Sequence, residues 1–129
     1  MNKKQKNRII VMAIIAVIVV LGGISYFQKN RPGDYDDFAR CIDESGTKFY
    51  GAFWCPHCDD QKELFGNSQR LLPYIECSTA DGQGQTVDCQ RAQITAYPTW
   101  QWPDGTKETG NQTFEYISEK TSCPVSPSS

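Results

Sequence analysis

Residues 9–24, IIVMAIIAVIVVLGGI, carry no charged side chain, and this run limits the chain more than any other feature. With Ser25, Tyr26 and Phe27 it approaches the roughly 20 residues needed to cross a bilayer core. No face of the stretch is polar, so it does not read as a surface helix of a soluble protein. Lys3, Lys4, Lys6 and Arg8 precede it. Positive flanks are retained on the cytoplasmic side, and aromatic residues such as Tyr26 and Phe27 collect at the far interface. The pattern predicts a basic cytoplasmic leader at 1–8, a transmembrane signal-anchor helix at 9–27 and a polar linker, QKNRPGD, at 28–34. The rest then lies on the extracytoplasmic side, periplasmic or cell-surface. A cleaved signal peptide is the alternative. It would carry an apolar segment of about 7–15 residues and an A-x-A-like site. The run here is longer, and its exit, LGGISYFQKN, offers only glycines.

Export bears on the six cysteines, because disulfides form and persist outside the cytoplasm. An even cysteine count in a small exported domain suggests a disulfide framework. The charge is also uneven. Residues 1–31 hold six basic residues and no acid, leaving seven basic against fifteen acidic residues in 32–129. An acidic domain lacks the basic footprint that nucleic acid requires, so that class of partner is excluded.

The remainder predicts one domain at 35–123 and a frayed tail at 124–129. Asp34 is placed to cap a helix running to about Ser45, with Tyr35, Phe38, Ala39 and Ile42 on one face. Lys48 to Trp54, KFYGAFW, reads as a buried strand. A helix follows from Pro56 through Leu72, with Gly66 a weak point or kink. Tyr74 to Cys77 reads as a short strand, 78–87 as a polar loop, and Asp88 to Ile94 as a short helix. Thr99 to Trp102 and Lys107 to Gly110 flank a Pro103-Asp104-Gly105-Thr106 turn. A last helix begins near 111–113 and ends before Pro124. Strands alternating with helices imply a mixed α/β sheet of about four strands, covered by helices on both faces.

The chemistry concentrates in Trp54-Cys55-Pro56-His57-Cys58. A first cysteine at a helix start sits beside unpaired backbone N–H groups, which together with the helix dipole favour a thiolate. A stable thiolate attacks readily and also leaves readily, which favours passing a disulfide on. His57 adds positive charge or a hydrogen bond, while Asp59 and Asp60 oppose it. Cys58, one turn in, is suited to resolving a mixed disulfide.

The aromatic strand, the Cys-Pro-His-Cys tetrad, the amphipathic helix and Ile94-Thr95-Ala96-Tyr97-Pro98-Thr99 before a hairpin together resemble the thioredoxin superfamily over about residues 35–121. The resemblance implies a thioredoxin-like fold in which Pro98 is cis and lies against the cysteine pair. Tyr97 and Pro98, with Pro56 and Trp54, would then shape a substrate groove. Tyr50 to Cys58, Gln61 to Gly66, Tyr74 to Cys77 and Tyr97 to Trp100 look like the thioredoxin-like domain that accompanies bacterial and plant vitamin K epoxide reductase homologues. Cys-Pro-His-Cys is also the tetrad of DsbA-type disulfide oxidases. These likenesses imply an oxidase or isomerase acting on protein thiols and disulfides. They also imply a quinone-linked vitamin K epoxide reductase-like membrane partner, here expected on a separate chain. No cofactor is expected beyond the redox-active Cys55–Cys58 disulfide itself. The family carries a cysteine pair at the place of Cys77 and Cys89, bracketing the polar loop, which leaves Cys41 and Cys123 as a second structural pair. Two departures stand out. The position six residues before Cys55, commonly a buried acid in the superfamily, is Phe49, so a proton at Cys58 needs another group or water. The usual first strand before the first helix is also missing.

Rival readings are a zinc site, an exported thioredoxin-like reductase serving, for example, cytochrome maturation, and a non-catalytic binding module. Zinc would join Cys55, His57 and Cys58 to a further cysteine, but structural zinc wants two closely spaced ligand pairs and His57 is the only histidine, so no metal is expected. Trp100 and Trp102 share one side of a strand and read as packing residues.

Overall fold

The structure, a computed structural model, describes residues 1–127; the last two positions of the tail expected to fray lie outside the described residues. The chain forms two compact units, Met1–Arg31 and Pro32–Ser129.

The first unit is a single helix, α1 (Lys3–Lys29), with none of its residues buried. It is long and apolar enough to cross a membrane. It begins six residues before and ends two residues after the 9–27 span expected from sequence, taking in Lys3–Arg8 of the leader and Gln28 and Lys29 of the linker, since Lys, Gln and Arg are good helix formers.

The second unit contains helices α2 (Asp36–Glu44), α3 (Pro56–Glu63), α4 (Val87–Arg91) and α5 (Phe114–Thr121), a 3-10 helix at Gly66–Leu71, and strands β1 (Lys48–Gly51), β2 (Tyr74–Glu76), β3 (Thr99–Gln101) and β4 (Lys107–Thr109). The strands form one mixed sheet in the order β2-β1-β3-β4. The β1–β2 pair is parallel, and β3 runs antiparallel to both β1 and β4. The four-stranded mixed sheet agrees with the sequence reading. On one face Phe49 and Trp100 are register partners whose rings stack at 4.5 Å, and Trp102 stacks on Trp100 at 5.6 Å. Phe38, Ala39 and Ile42 of α2, Ile117 of α5 and Phe65 complete that core. On the other face Tyr50 packs with Cys77, Cys89 and Ile94 around α4.

Several element ends differ from the sequence expectation for identifiable reasons. Helix α2 begins at Asp36 rather than after an Asp34 cap, because the Asp36 carboxylate is drawn inward. The long helix expected from Pro56 to Leu72 ends as α3 at Glu63 and resumes as a 3-10 helix at Gly66, whose left-handed φ of 52° an α-helix does not run through. Strand β1 stops at Gly51, and Phe53 and Trp54 leave the sheet half-exposed. Helix α4 ends at Arg91, with Gln93 in the left-handed region. The end of the expected linker is also not free chain: Gly33 is buried.

The cause lies in one polar knot. Asp36, 5 % exposed, takes two hydrogen bonds of 2.7 Å from the Arg70 guanidinium, one of 2.8 Å from Ser68 Oγ and one of 3.1 Å from the Gly33 N–H. The first turn of α2 is thereby fixed to the 3-10 helix and to the start of the unit. The Arg70 hydrogen bond, more than any other influence, holds the Asp36 carboxyl far below its ordinary value of 3.8, against a desolvation cost. A depressed carboxyl contributes stability that is complete above its unfolded value and is lost as pH falls through the folded one. Wild-type stability is therefore expected to erode as pH drops below about 4. Asp36→Ala is expected to cost about 3 kcal/mol at neutral pH, because it strands a half-buried guanidinium. Urea titrations at neutral and acid pH check both statements; a variant as stable as wild type at neutral pH would refute the assignment.

Candidate active site

Cys55 is the N-cap of α3 because Ala52 closes a turn on it, accepting its N–H at 3.0 Å, and Pro56 fills the first helical position. Proline there forgoes only an N–H that has no helical partner. The Cys55 Sγ accepts the Cys58 N–H at 3.3 Å. Both thiols are free, while the other four cysteines are bonded as Cys41–Cys123 and Cys77–Cys89. Cys55 keeps 5 % of its surface exposed, and Cys58 keeps none. Burial first, then the neighbouring Cys55 sulfur, hold the Cys58 thiol well above the ordinary cysteine range. One sulfur thus lies at the surface end of the helix and the other beneath it, held as a thiol.

Tyr97 packs against the cluster formed by Ala52, Cys55 and Cys58. Its peptide bond to Pro98 is cis, and Pro98 is fully buried. The Tyr97 hydroxyl accepts from Gln85 Nε2 at 2.7 Å, and Trp54 meets the Tyr97 ring edge-on at 5.9 Å. Trp54 also donates its indole N–H to Ser78 Oγ at 2.9 Å. Gly82, with φ at +71°, brings the loop backbone beneath Phe53 and Trp54. The Cys77–Cys89 disulfide closes that loop across a sequence separation of 12. Phe53 and Trp54, each more than half exposed, make an apolar rim beside Cys55. Exposed apolar surface of this kind marks interaction sites.

Cys55, Cys58, Tyr97 and Trp54 therefore come together, with Pro56 and Pro98 their neighbours along the chain. His57 does not join them through a hydrogen bond: its side chain is 75 % exposed, and its Nδ1 lies 3.7 Å from Asp60 Oδ2. Cys41 and Cys123 lie elsewhere, joining α2 to the end of the fold. Among the described residues no three His, Cys, Asp or Glu side chains are grouped to hold a metal ion.

Tyr74 and Glu76 are the neighbours that sequence reasoning missed. A Cβ on Gly51 would stand 3.0 Å from Cys58 Sγ, 2.6 Å from Tyr74 Cε2 and 3.2 Å from the Tyr74 hydroxyl oxygen. The available signal was an acid alternating with a tyrosine in a short strand, which puts both side chains on one face.

No family model matches the chain. One curated protein, Thiol-disulfide oxidoreductase LTO1 of Arabidopsis thaliana, is 42 % identical over 67 residues, a stretch covering 48 % of this chain and 18 % of that protein. The chain thus spans less than a fifth of that relative's length. The match supports a redox, thioredoxin-like relationship.

Proposed function

We propose that this chain is a membrane-anchored, extracytoplasmic thiol–disulfide oxidoreductase with a thioredoxin-like fold, in which Cys55 and Cys58 exchange disulfides with exported proteins. The observation that carries the reading is the placement of Cys55 at the start of α3 with Cys58 buried beneath it, in a domain whose other cysteines are already paired. That arrangement leaves one dithiol for exchange. The Cys55 sulfur stands at the α3 N-terminus and accepts the Cys58 N–H, a setting that reactive disulfide-exchanging cysteines share. Charged leader and apolar helix α1 support a retained anchor with the leader inside. The likeness to a named thiol-disulfide oxidoreductase supports the same chemistry. Each exchange leaves the pair reduced by two electrons, and we assign its reoxidation to a quinone-linked membrane partner, as the resemblance to the thioredoxin-like domain of vitamin K epoxide reductase homologues implies.

The reduction potential of Cys55–Cys58 tests the direction. The full chain in detergent is equilibrated with glutathione buffers, the thiols are trapped, and the species are weighed. A value above about −200 mV is expected for a disulfide donor. A value near or below about −270 mV would instead identify an exported reductase. A pair that never titrates would leave a non-catalytic module.

A further inference from the structure

A buried resolving thiol must lose its proton before it attacks and regain one when it leaves, and Cys58 has no solvent contact of its own. Strand β1 offers no acid for this, since Phe49 is stacked into the core. The adjacent strand does. In the parallel register Tyr74 lies opposite Phe49, and Glu76 lies opposite Gly51. Side chains alternate along a strand, so Tyr74 and Glu76 share the face on which Cys58 lies. The missing side chain of Gly51 lets the Tyr74 ring and the Cys58 sulfur close in on one point: Tyr74 Cε2, the sulfur and the phenol oxygen stand 2.6, 3.0 and 3.2 Å from the place a Cβ would occupy, which sets the phenol oxygen within about 6 Å of the sulfur. The phenol donates to Glu76 Oε2 at 2.9 Å. Glu76 Oε1 is fixed in turn by the N–H groups of Phe53 at 3.2 Å and Ser78 at 2.8 Å. Lys62 Nζ, 3.8 Å from the centre of the Tyr74 ring, holds the ring in place.

We propose that Tyr74 and Glu76 form a proton relay for Cys58, the phenol passing the proton and the carboxylate receiving or supplying it at the protein surface. The inference rests on the exchange reaction proposed above. In the resolving step a substrate sulfur is bonded to Cys55. The Cys58 thiol gives its proton towards the Tyr74 oxygen as the phenol gives its own to Glu76. The Cys58 electron pair then forms the bond to Cys55 Sγ, and the bond from Cys55 to the substrate breaks. The substrate leaves as a thiolate and takes a proton from water. In the reverse sense a substrate thiolate attacks Cys55 of the disulfide, Cys58 leaves with the electron pair, and the same relay returns a proton to it. Burial holds the Cys58 thiol up, and burial followed by the Glu76 hydrogen bond holds the Tyr74 phenol up, so neither ionises alone at neutral pH. A linked transfer avoids both buried anions. Asp59 and Lys62 of α3 are the other charged groups that face this pair.

The test separates the two steps in the full chain in detergent, with oxidised glutathione as the probe. Cys55 first forms a mixed disulfide with glutathione, and Cys58 then displaces glutathione; acid quenching and mass measurement follow each species. Tyr74→Phe keeps the ring and removes the hydroxyl. Glu76→Gln keeps an oxygen for the two N–H groups and removes the acid. In each variant the resolving step is expected to slow by about a hundredfold while attack by Cys55 changes less than about twofold. The wild-type solvent isotope effect on resolution is expected to vanish, and the pH–rate profile of that step to change shape. Resolution at the wild-type rate in both variants overturns the relay, and so does equal slowing of both steps, the mark of a merely structural role. Should Tyr74→Phe fail to fold, Glu76→Gln decides alone. Wild-type protein that never forms the mixed disulfide would overturn the exchange reaction and the relay together; normal wild-type exchange with unaffected variants overturns the relay only.

Discussion

Cys55→Ser is expected to abolish disulfide exchange altogether, and Cys58→Ser to turn the protein into a trap. The asymmetry follows from burial. Only Cys55 keeps exposed surface, so only it can meet a sulfur in another molecule, and it does so at a helix start where backbone donors stabilise the attacking or departing anion. Cys58 lies beneath it with no exposed surface, and Cys55 is the one free sulfur beside it. Without Cys58, reduced Cys55 still attacks a disulfide, but the adduct has no internal sulfur to resolve it. Turnover with a reduced, unfolded protein substrate and oxidised glutathione, followed on non-reducing gels, distinguishes the two variants. The first should show no adduct and no turnover; the second should accumulate adducts that dithiothreitol releases. Exchange persisting in Cys55→Ser would remove Cys55 from the reaction and with it the proposed function.

The largest expected loss of stability comes from removing Cys41–Cys123. That bridge spans a sequence separation of 82, against 12 for Cys77–Cys89. A cross-link acts mainly by limiting the unfolded chain, and the effect grows slowly with loop length. The expected losses are about 4.5 kcal/mol for Cys41→Ala with Cys123→Ala and about 3 kcal/mol for Cys77→Ala with Cys89→Ala. Against a total stability of about 5–15 kcal/mol for a typical domain, the first loss is close to unfolding the unit. Trp100 and Trp102, buried and stacked, supply the fluorescence signal for urea titrations of each variant. The smaller loss has a local consequence as well, because the loop it closes supports Phe53 and Trp54. If the 41–123 variant proves the more stable of the two, chain restriction is not how these bridges act.

Much of the scaffold was legible because its signals are local. The spacing of Phe38, Ala39 and Ile42 marks the buried face of α2, and Gly66 marks the place where the following helix breaks. The Cys-Pro-His-Cys segment carries its own helix start, so the position of Cys55 could be read from a few residues. The rim was misread because aromatic residues look alike in sequence whether they fill a core or border a site: Phe53 and Trp54 were taken into a buried strand and lie half-exposed over the loop. Tyr74 and Glu76 were invisible for a different reason. Their meeting with Gly51 and Cys58 depends on the register of a parallel strand pair formed across more than twenty residues, which no local pattern encodes. Asp36 shows the same limit, since its partners Ser68 and Arg70 come from a distant turn and pull the start of α2 inward.

The Cys41–Cys123 bridge makes the fold from α2 to the end of α5 a covalent ring, with the polar loop enclosed in a smaller ring of its own. A protease that cuts any exposed turn between residues 41 and 123 therefore opens the ring without releasing a fragment. The two pieces stay tied through the sulfur bridge, with the sheet and the α3 start still held between them. Such closure lets damage to the backbone be survived rather than prevented.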